Sequence, residues 1–241
     1  MIELHNMDCM ELMKRYPDNY FDLAIVDPPY GINYDGVTTI SGKAGKASTF
    51  NVIQHHKKKG WDKKRPNIEY FQELLRVSKN AIIWGGNYFA DLLPPSKGWV
   101  YWDKQITQKS KLHSDGELAY TTFSRKLTKF SYGWIGFDYL NNPHNEKKIH
   151  PTQKPIALYK WLLDNYAKQG DMYSRKTRIL DTHLGSGSSA IAAYQLGYDF
   201  VGCELDKDYF QAMQKRVKQA MKQTNLFQSV EEKQAEQIKI F

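Results

Sequence analysis

Phe21-Asp22-Leu23-Ala24-Ile25-Val26 is a nearly continuous apolar run, and it ends at Asp27-Pro28-Pro29-Tyr30. A run that does not alternate with polar residues suits a strand buried on both faces, as in a parallel sheet. Working outward, Ala81-Ile82-Ile83-Trp84 ends at Gly85-Gly86, and Arg178-Ile179-Leu180 ends at Asp181 and a glycine-rich turn. Asp199-Phe200-Val201-Gly202-Cys203 ends at Glu204. Helical patterns lie between these runs: a short one over 10–16, then 66–79 with Ile68, Phe71, Leu74, Leu75 and Val77 on one side. Three more follow, 156–166 after Pro155, 188–196 ahead of Gly197, and 206–222. Strands alternating with helices predict an α/β fold with a doubly wound, mostly parallel sheet. Open sheets of this kind bind ligands at the carboxyl ends of their strands, where each run meets its polar or glycine residue.

Two stretches break the alternation. Residues 35–65 are rich in Gly, Ser and Thr and carry Lys57, Lys58, Lys59, Lys63, Lys64 and Arg65. A loop this long is usually functional or disordered, so a mobile basic loop is expected. Residues from about 104 to 148 are polar and aromatic by turns, and basic as well. The whole chain has 241 residues, with 34 Lys+Arg against 26 Asp+Glu, a formal charge of +8 that points to a polyanionic partner. Its 14% aromatics suit base stacking, although most Phe and Trp are expected in the core. Cys9 and Cys203 are too few for a disulfide framework, which favours a reducing, cytoplasmic setting. No apolar run approaches the ~20 residues of a membrane helix, so no membrane partner is expected.

Asp181-Thr182-His183-Leu184-Gly185-Ser186-Gly187-Ser188-Ser189-Ala190 leaves a strand and opens a helix. Its glycines permit close backbone approach to a ligand, and the helix start offers unpaired N–H groups. Glu204 ends the next strand, where an acid binds ribose hydroxyls. Gly185-x-Gly187-x-x-Ala190 also satisfies the relaxed dinucleotide fingerprint, so NAD stays open at this point; the absence of Gly-Lys-Ser/Thr excludes a triphosphate P-loop. Asp27-Pro28-Pro29-Tyr30 is sharper. Two prolines leave a stiff turn without N–H donors. Asp27 and the Pro28 carbonyl are then two acceptors for a doubly donating amino group, and Tyr30, with Trp84 or Tyr34, offers a ring to stack on. The histidines lack partners at ligand spacing, and no metal is expected.

Taken together, these residues resemble the amino-methylating DNA methyltransferases that use S-adenosylmethionine. The tetrapeptide at 27–30 precedes the glycine turn at 185–187, as in the circularly permuted β group of that family. His150-Pro151-Thr152-Gln153-Lys154-Pro155 and the opening Asn6-Met7-Asp8-Cys9 are similar to the same group. The resemblance covers roughly the first thirty residues and 150–210. It implies a Rossmann-like methyltransferase fold over residues 1–222, with a small irregular target-recognition insertion at about 104–148 and a polar tail at 223–241. It also implies double-stranded DNA as substrate, a restriction-modification setting, a bacterial or phage origin, and a homodimer as one arrangement.

Carried over residue by residue, Asp27, Pro28, Pro29 and Tyr30 become the catalytic set. Asp181, Gly185, Gly187 and Glu204 become the donor site, joined by Asp8 near the donor's adenine and by Thr152 and Lys154 near its carboxylate. The departure is Thr182-His183-Leu184, where relatives commonly carry Pro-Phe and a small residue; His183 is the substitute for that Phe. Lys57 to Arg65 are expected to hold phosphates, and Gln105, Gln108, Arg125 and Asn141-Asn142 to reach base edges. Asp at position 27 favours adenine N6, since relatives acting on cytosine N4 more often have Ser; N4-cytosine transfer and an inactive DNA-binding relative are the alternatives. Gln223–Phe227 and Gln237–Phe241 resemble peptides that dock on bacterial sliding clamps, although a helix end packing its Phe residues is the simpler reading.

Overall fold

The computed structural model describes residues 1–35, 59–106, 114–134, 146, 148–167 and 176–238, with side chains to 225. Its strands are β1 (Ile2–His5), β2 (Leu23–Val26), β3 (Ala81–Trp84), β4 (Gly98–Asp103), β5 (Gly116–Thr121), β6 (Thr128–Ser131), β7 (Arg178–Asp181) and β8 (Asp199–Cys203). They form one sheet in the order β1-β8-β7-β2-β3-β5-β4-β6. The first five in that order are mutually parallel, β5 is antiparallel to both β3 and β4, and β6 runs parallel to β4. The helices are α1 (Cys9–Met13), α2 (Ile68–Val77), α3 (Ile156–Tyr166), α4 (Ser188–Gln195) and α5 (Lys207–Ile238).

Every residue of β2 and β3 is buried, which is why both read as unbroken apolar runs. Their side chains alternate between two cores. Leu23, Ile25, Ile82 and Trp84 join α3, α4 and α5 on one face, while Ala24, Val26, Ala81 and Ile83 join α1 and α2 on the other. The sheet is therefore the middle of three layers, as expected for a doubly wound fold. In α2 the buried stripe is Tyr70 and Phe71, then Leu74 and Val77 at successive turns, and the Asn67 side chain caps the Tyr70 N–H. Ile68, assigned to that stripe by its apolarity, is exposed instead.

Three expectations change. Part of the 104–148 stretch is not an irregular insertion, since β5 and β6 extend the main sheet. Arg125 donates to the Asn165 carbonyl and lies over the Tyr166 ring, so it is tied to α3 rather than turned toward a groove. Residues 223–238, expected to be tail, continue α5. Gln195 donates to Thr224, and Tyr194 to Asn225, which holds this extension against α4. Gln108, Asn141, Asn142, the side chains of Leu226 and Phe227, and residues 239–241 lie outside the described residues. Among those described, no helix is long and apolar enough to cross a membrane.

Candidate active site

β7 and β2 are adjacent and parallel, and they carry the glycine turn and Asp27-Pro28-Pro29-Tyr30 at their carboxyl ends. From this pair the chain order runs outward in opposite directions, through β8 and β1 on one side and β3 on the other. Such a switch point is where open α/β sheets form their crevice. Two cavities lie there, of about 600 Å³ and 460 Å³. Asp27, Pro29, Trp61, Thr152, Gln153 and Lys154 line both, so Asp27 stands at their common wall.

The larger cavity collects Asp8, Thr182, His183, Gly185 and Glu204. Parallel pairing of β1 with β8 brings Asp8 beside Glu204 despite their separation in sequence. Asp8 caps α1 through the N–H groups of Met10 and Glu11, and Glu204 accepts from the Gly185 N–H at 2.9 Å and the Asp206 N–H at 2.9 Å. Burial raises the Glu204 carboxyl above its ordinary value, against these N–H groups. Gly187 shapes the turn without lining the cavity. Its φ of +75° suits glycine, and a Cβ there would stand 2.6 Å from Met213 Cγ of α5. Asp181 does not line the cavity either. Its carboxylate is buried under the turn, accepting from the His183 N–H at 3.0 Å and the Ser189 hydroxyl at 2.6 Å.

His183 is the departure from the family pattern, and the protein surrounds it with its own partners. Thr182 Oγ1 lies 3.0 Å from its Nδ1, and the Tyr70 hydroxyl lies 2.6 Å from Thr182 Oγ1 and 3.5 Å from Nδ1. Burial pushes the imidazole down to about 4, so it is neutral at physiological pH.

The smaller cavity is built around Asp27. The Tyr30 hydroxyl donates to its Oδ1 at 2.7 Å, and the Lys154 ammonium to its Oδ2 at 2.6 Å. Lys154, which lines both cavities, thus pairs with Asp27, and it also pairs with Glu117 Oε2 at 3.0 Å. Lys104 holds the other Glu117 oxygen at 2.6 Å. Burial raises the Asp27 carboxyl, opposed by Lys154 and assisted by Glu117. Burial alone would raise Glu117 too, yet Lys154 and Lys104 hold it down to about 2. Burial and the neighbouring Lys104 bring Lys148 down to about 8. Tyr88 stacks on one face of the Tyr30 ring, 4.8 Å between centroids. At Gly85, φ +70°, any side chain would collide with that ring. Trp84 is fully buried in the core and does not line the cavity, whereas Tyr34 does.

The basic loop is described only where it returns. Asp35 accepts from the N–H groups of Lys59 and Gly60, and Asp62 from those of Gly31 and Tyr34, so two buried carboxylates fasten the strand of return beside Tyr30. Trp61 then roofs both cavities, its ring 5.3 Å from that of His150. The expected phosphate contacts divide. Lys59 is paired with Asp206 at 2.6 Å and Asp208 at 2.8 Å and lines the larger cavity, and Arg65 grips Asp91. Lys63 and Lys64 are exposed, and Lys57 and Lys58 lie outside the described residues. Among the described residues no group of three or more His, Cys, Asp or Glu side chains is placed to hold a metal ion.

A family model described as DNA methylase, of the N6/N4 type, matches residues 92–215, half of the chain. The chain belongs to the N6/N4 DNA methylase family. Similar relatives include the type II methyltransferase M2.DpnII of Streptococcus pneumoniae, 24% identical over 93% of this chain and 92% of its own length. M2.MboI of Moraxella bovis, another type II methyltransferase, is 23% identical over 88% of this methylase and 86% of its own length. The fold is that of the M1.HpyAVI–SAM complex, with TM-score 0.52, 22% identity and 90% of this chain and 100% of the other covered. The cytosine-N4-specific PvuII DNA methyltransferase is similar at TM-score 0.51, with 13% identity and 92% and 91% covered.

Several residues of the methylase's cleft escape motif reading. Glu117 lies on β5 and Lys104 directly follows β4, strands placed by an antiparallel return that no local pattern announces. The apolar-run criterion passes over β4 because Gly98-Trp99-Val100-Tyr101-Trp102-Asp103 alternates between buried and half-buried positions. That alternation is the signal that finds it. Trp61 sits between Gly60 and Asp62 in a basic, polar stretch and carries no local signal at all.

Proposed function

We propose that this methylase transfers a methyl group from S-adenosylmethionine to adenine N6 of a base flipped out of double-stranded DNA. The observation that carries this reading is the position of Asp27, a half-buried carboxylate on the wall shared by two cavities. The larger cavity suits the donor: Glu204 is an acceptor for ribose hydroxyls, Asp8 and the neutral His183 flank it, and Gly185 offers bare backbone. When bound, the donor supplies an electrophilic sulfonium methyl.

The protein's part is positioning. An adenine N6 lone pair is delocalised into the ring, which makes it a poor nucleophile. Hydrogen bonds from N6 to Asp27 and the Pro28 carbonyl favour a pyramidal nitrogen whose lone pair faces the methyl group. The rate gain then comes from alignment and fixed charge rather than from a covalent intermediate. The base must leave the duplex to reach the cleft, a step general to DNA methyltransferases. Asp at position 27 supports adenine over cytosine, by the resemblance described above.

Asp27→Ala removes one of the two acceptors and leaves the larger cavity's other lining residues in place. Methyl transfer to DNA is expected to fall at least about 100-fold, in line with loss of a preorganised polar group, with donor binding retained. Filter-binding of labelled methyl groups on plasmid DNA, with calorimetry for the donor, checks both halves. Chromatography of the modified nucleosides identifies the base: N6-methyladenine is expected, and N4-methylcytosine overturns the choice of adenine.

A further inference from the structure

Glu117 belongs to neither motif block, yet it stands in the Asp27 cluster. Its Oε2 lies 3.0 Å from the Lys154 ammonium and 3.5 Å from the Tyr30 hydroxyl. Lys154, only 4% exposed, is thus shared between two carboxylates, with Asp27 Oδ2 at 2.6 Å. The tetrapeptide oxygen that must accept a target hydrogen is therefore already covered by a cation. Stripping Lys154 from Asp27 with nothing to receive it would strand a buried charge, which is costly. A lysine ammonium has three donors on a flexible stem and moves between neighbouring acceptors more readily than a guanidinium.

We propose that Glu117 is a positioning residue of methyl transfer: it takes over the Lys154 ammonium when the target amino group hydrogen-bonds to Asp27 Oδ2. Asp27 then stays anionic and accessible, and no buried charge is left unbalanced. Lys104, on the far oxygen of Glu117, keeps Oε2 aimed at Lys154. This rests on the reading of Asp27 as acceptor for the target amine. The other ionisable groups around Asp27 are Tyr30, Asp181 on β7 and Tyr159 on α3, with Lys104 and Lys148 beyond Glu117.

The experiment measures kcat, KM and the pH profile on unmethylated plasmid DNA for the full chain and for D27A, E117Q, E117D and K154M. Donor affinity and thermal unfolding are recorded for each. In E117Q, donor affinity and KM for DNA should stay within about threefold, while kcat drops about 10- to 100-fold, the scale of misplaced catalytic groups. Its acidic limb should move to lower pH, because the carboxylate that raises Asp27 is gone and Lys154 is left wholly to Asp27. In K154M the limb should move the opposite way. E117D restores the charge and should return the limb toward that of the parent, which a purely structural role would not do. An E117Q enzyme with unchanged kcat, or with a limb that stays or rises, overturns the proposal, as does an E117D limb that stays with E117Q. An active D27A overturns the underlying reading of Asp27 instead.

Discussion

Asp181 leads into the glycine turn proposed to bind the donor, yet its carboxylate faces inward, onto the His183 N–H and the Ser189 hydroxyl. Burial raises it to about 7 from an ordinary 3.8. A raised folded value means the neutral form is the one the fold prefers. Its contribution to stability is complete below about pH 4 and is lost as pH rises through 7. Asp181→Asn removes this titration. Between pH 4 and 8 the parent should therefore lose stability relative to the variant, by roughly 4 kcal/mol at most. Urea unfolding of the ligand-free protein across that range measures the difference, and parallel curves would show that the buried carboxylate ionises without penalty. Residue identity indicated which positions face the crevice at the strand ends, and Asp27, Gly185 and Glu204 do line the cavities there. It said nothing of which way a side chain turns: the Asp181 carboxylate lies under the turn rather than on the cavity wall, and Lys154 lines the larger cavity while also pairing with Asp27. Motif spacing fixes the chain's path, while orientation depends on partners such as Ser189 and Glu117 that come from other elements.

At the scale of elements, α5 does more than cover α4. Arg216 donates to the Ser186 carbonyl at 2.8 Å and the Ser188 hydroxyl at 3.0 Å, and its other nitrogen reaches Glu146 at 2.9 Å. Glu146 also accepts from the first N–H of α3. One buried guanidinium thus joins the donor turn, α5 and the start of α3. Arg216→Ala removes the guanidinium that joins Glu146 to the turn and should cost about 3 kcal/mol in denaturant unfolding. Adding Glu146→Leu to Arg216→Met should restore part of that loss, since an apolar pair can replace a buried ion pair. Double-variant stability no better than Arg216→Ala would show that the contacts to Ser186 and Ser188 are what matter. The core strands were legible in sequence as unbroken apolar runs, and α3 and α4 by the residues that bound them, Pro155 ahead of α3 and the glycine turn and Gly197 around α4. The full reach of α5 was not. Beyond Lys222 its sequence is mostly polar, and the Gln195–Thr224 and Tyr194–Asn225 hydrogen bonds that hold it depend on tertiary proximity.

For the molecule as a whole, a formal charge of +8 suits a DNA partner, but the structure shows that this charge is not all free to meet phosphates. Lys59 and Arg65 spend theirs on Asp206, Asp208 and Asp91, whereas Lys63 and Lys64 extend from the same returning segment into solvent. Each phosphate contact releases counterions, so affinity falls with salt at a slope of about 0.9 per contact. Replacing Lys63 and Lys64 together by Ala should lower that slope by about 2 on mixed-sequence duplex, without changing the affinity for S-adenosylmethionine. Lys59→Ala should do the reverse, leaving the slope unchanged and weakening donor binding, because Lys59 lines the larger cavity. Fluorescence anisotropy of a labelled duplex between 50 and 200 mM salt, roughly the range in which such contacts are resolved, measures the first effect, and calorimetry the second. Equal slope losses for Lys59→Ala and the double variant would mean that the Lys59–Asp206 pair opens when DNA binds, and that the whole returning segment serves the phosphates.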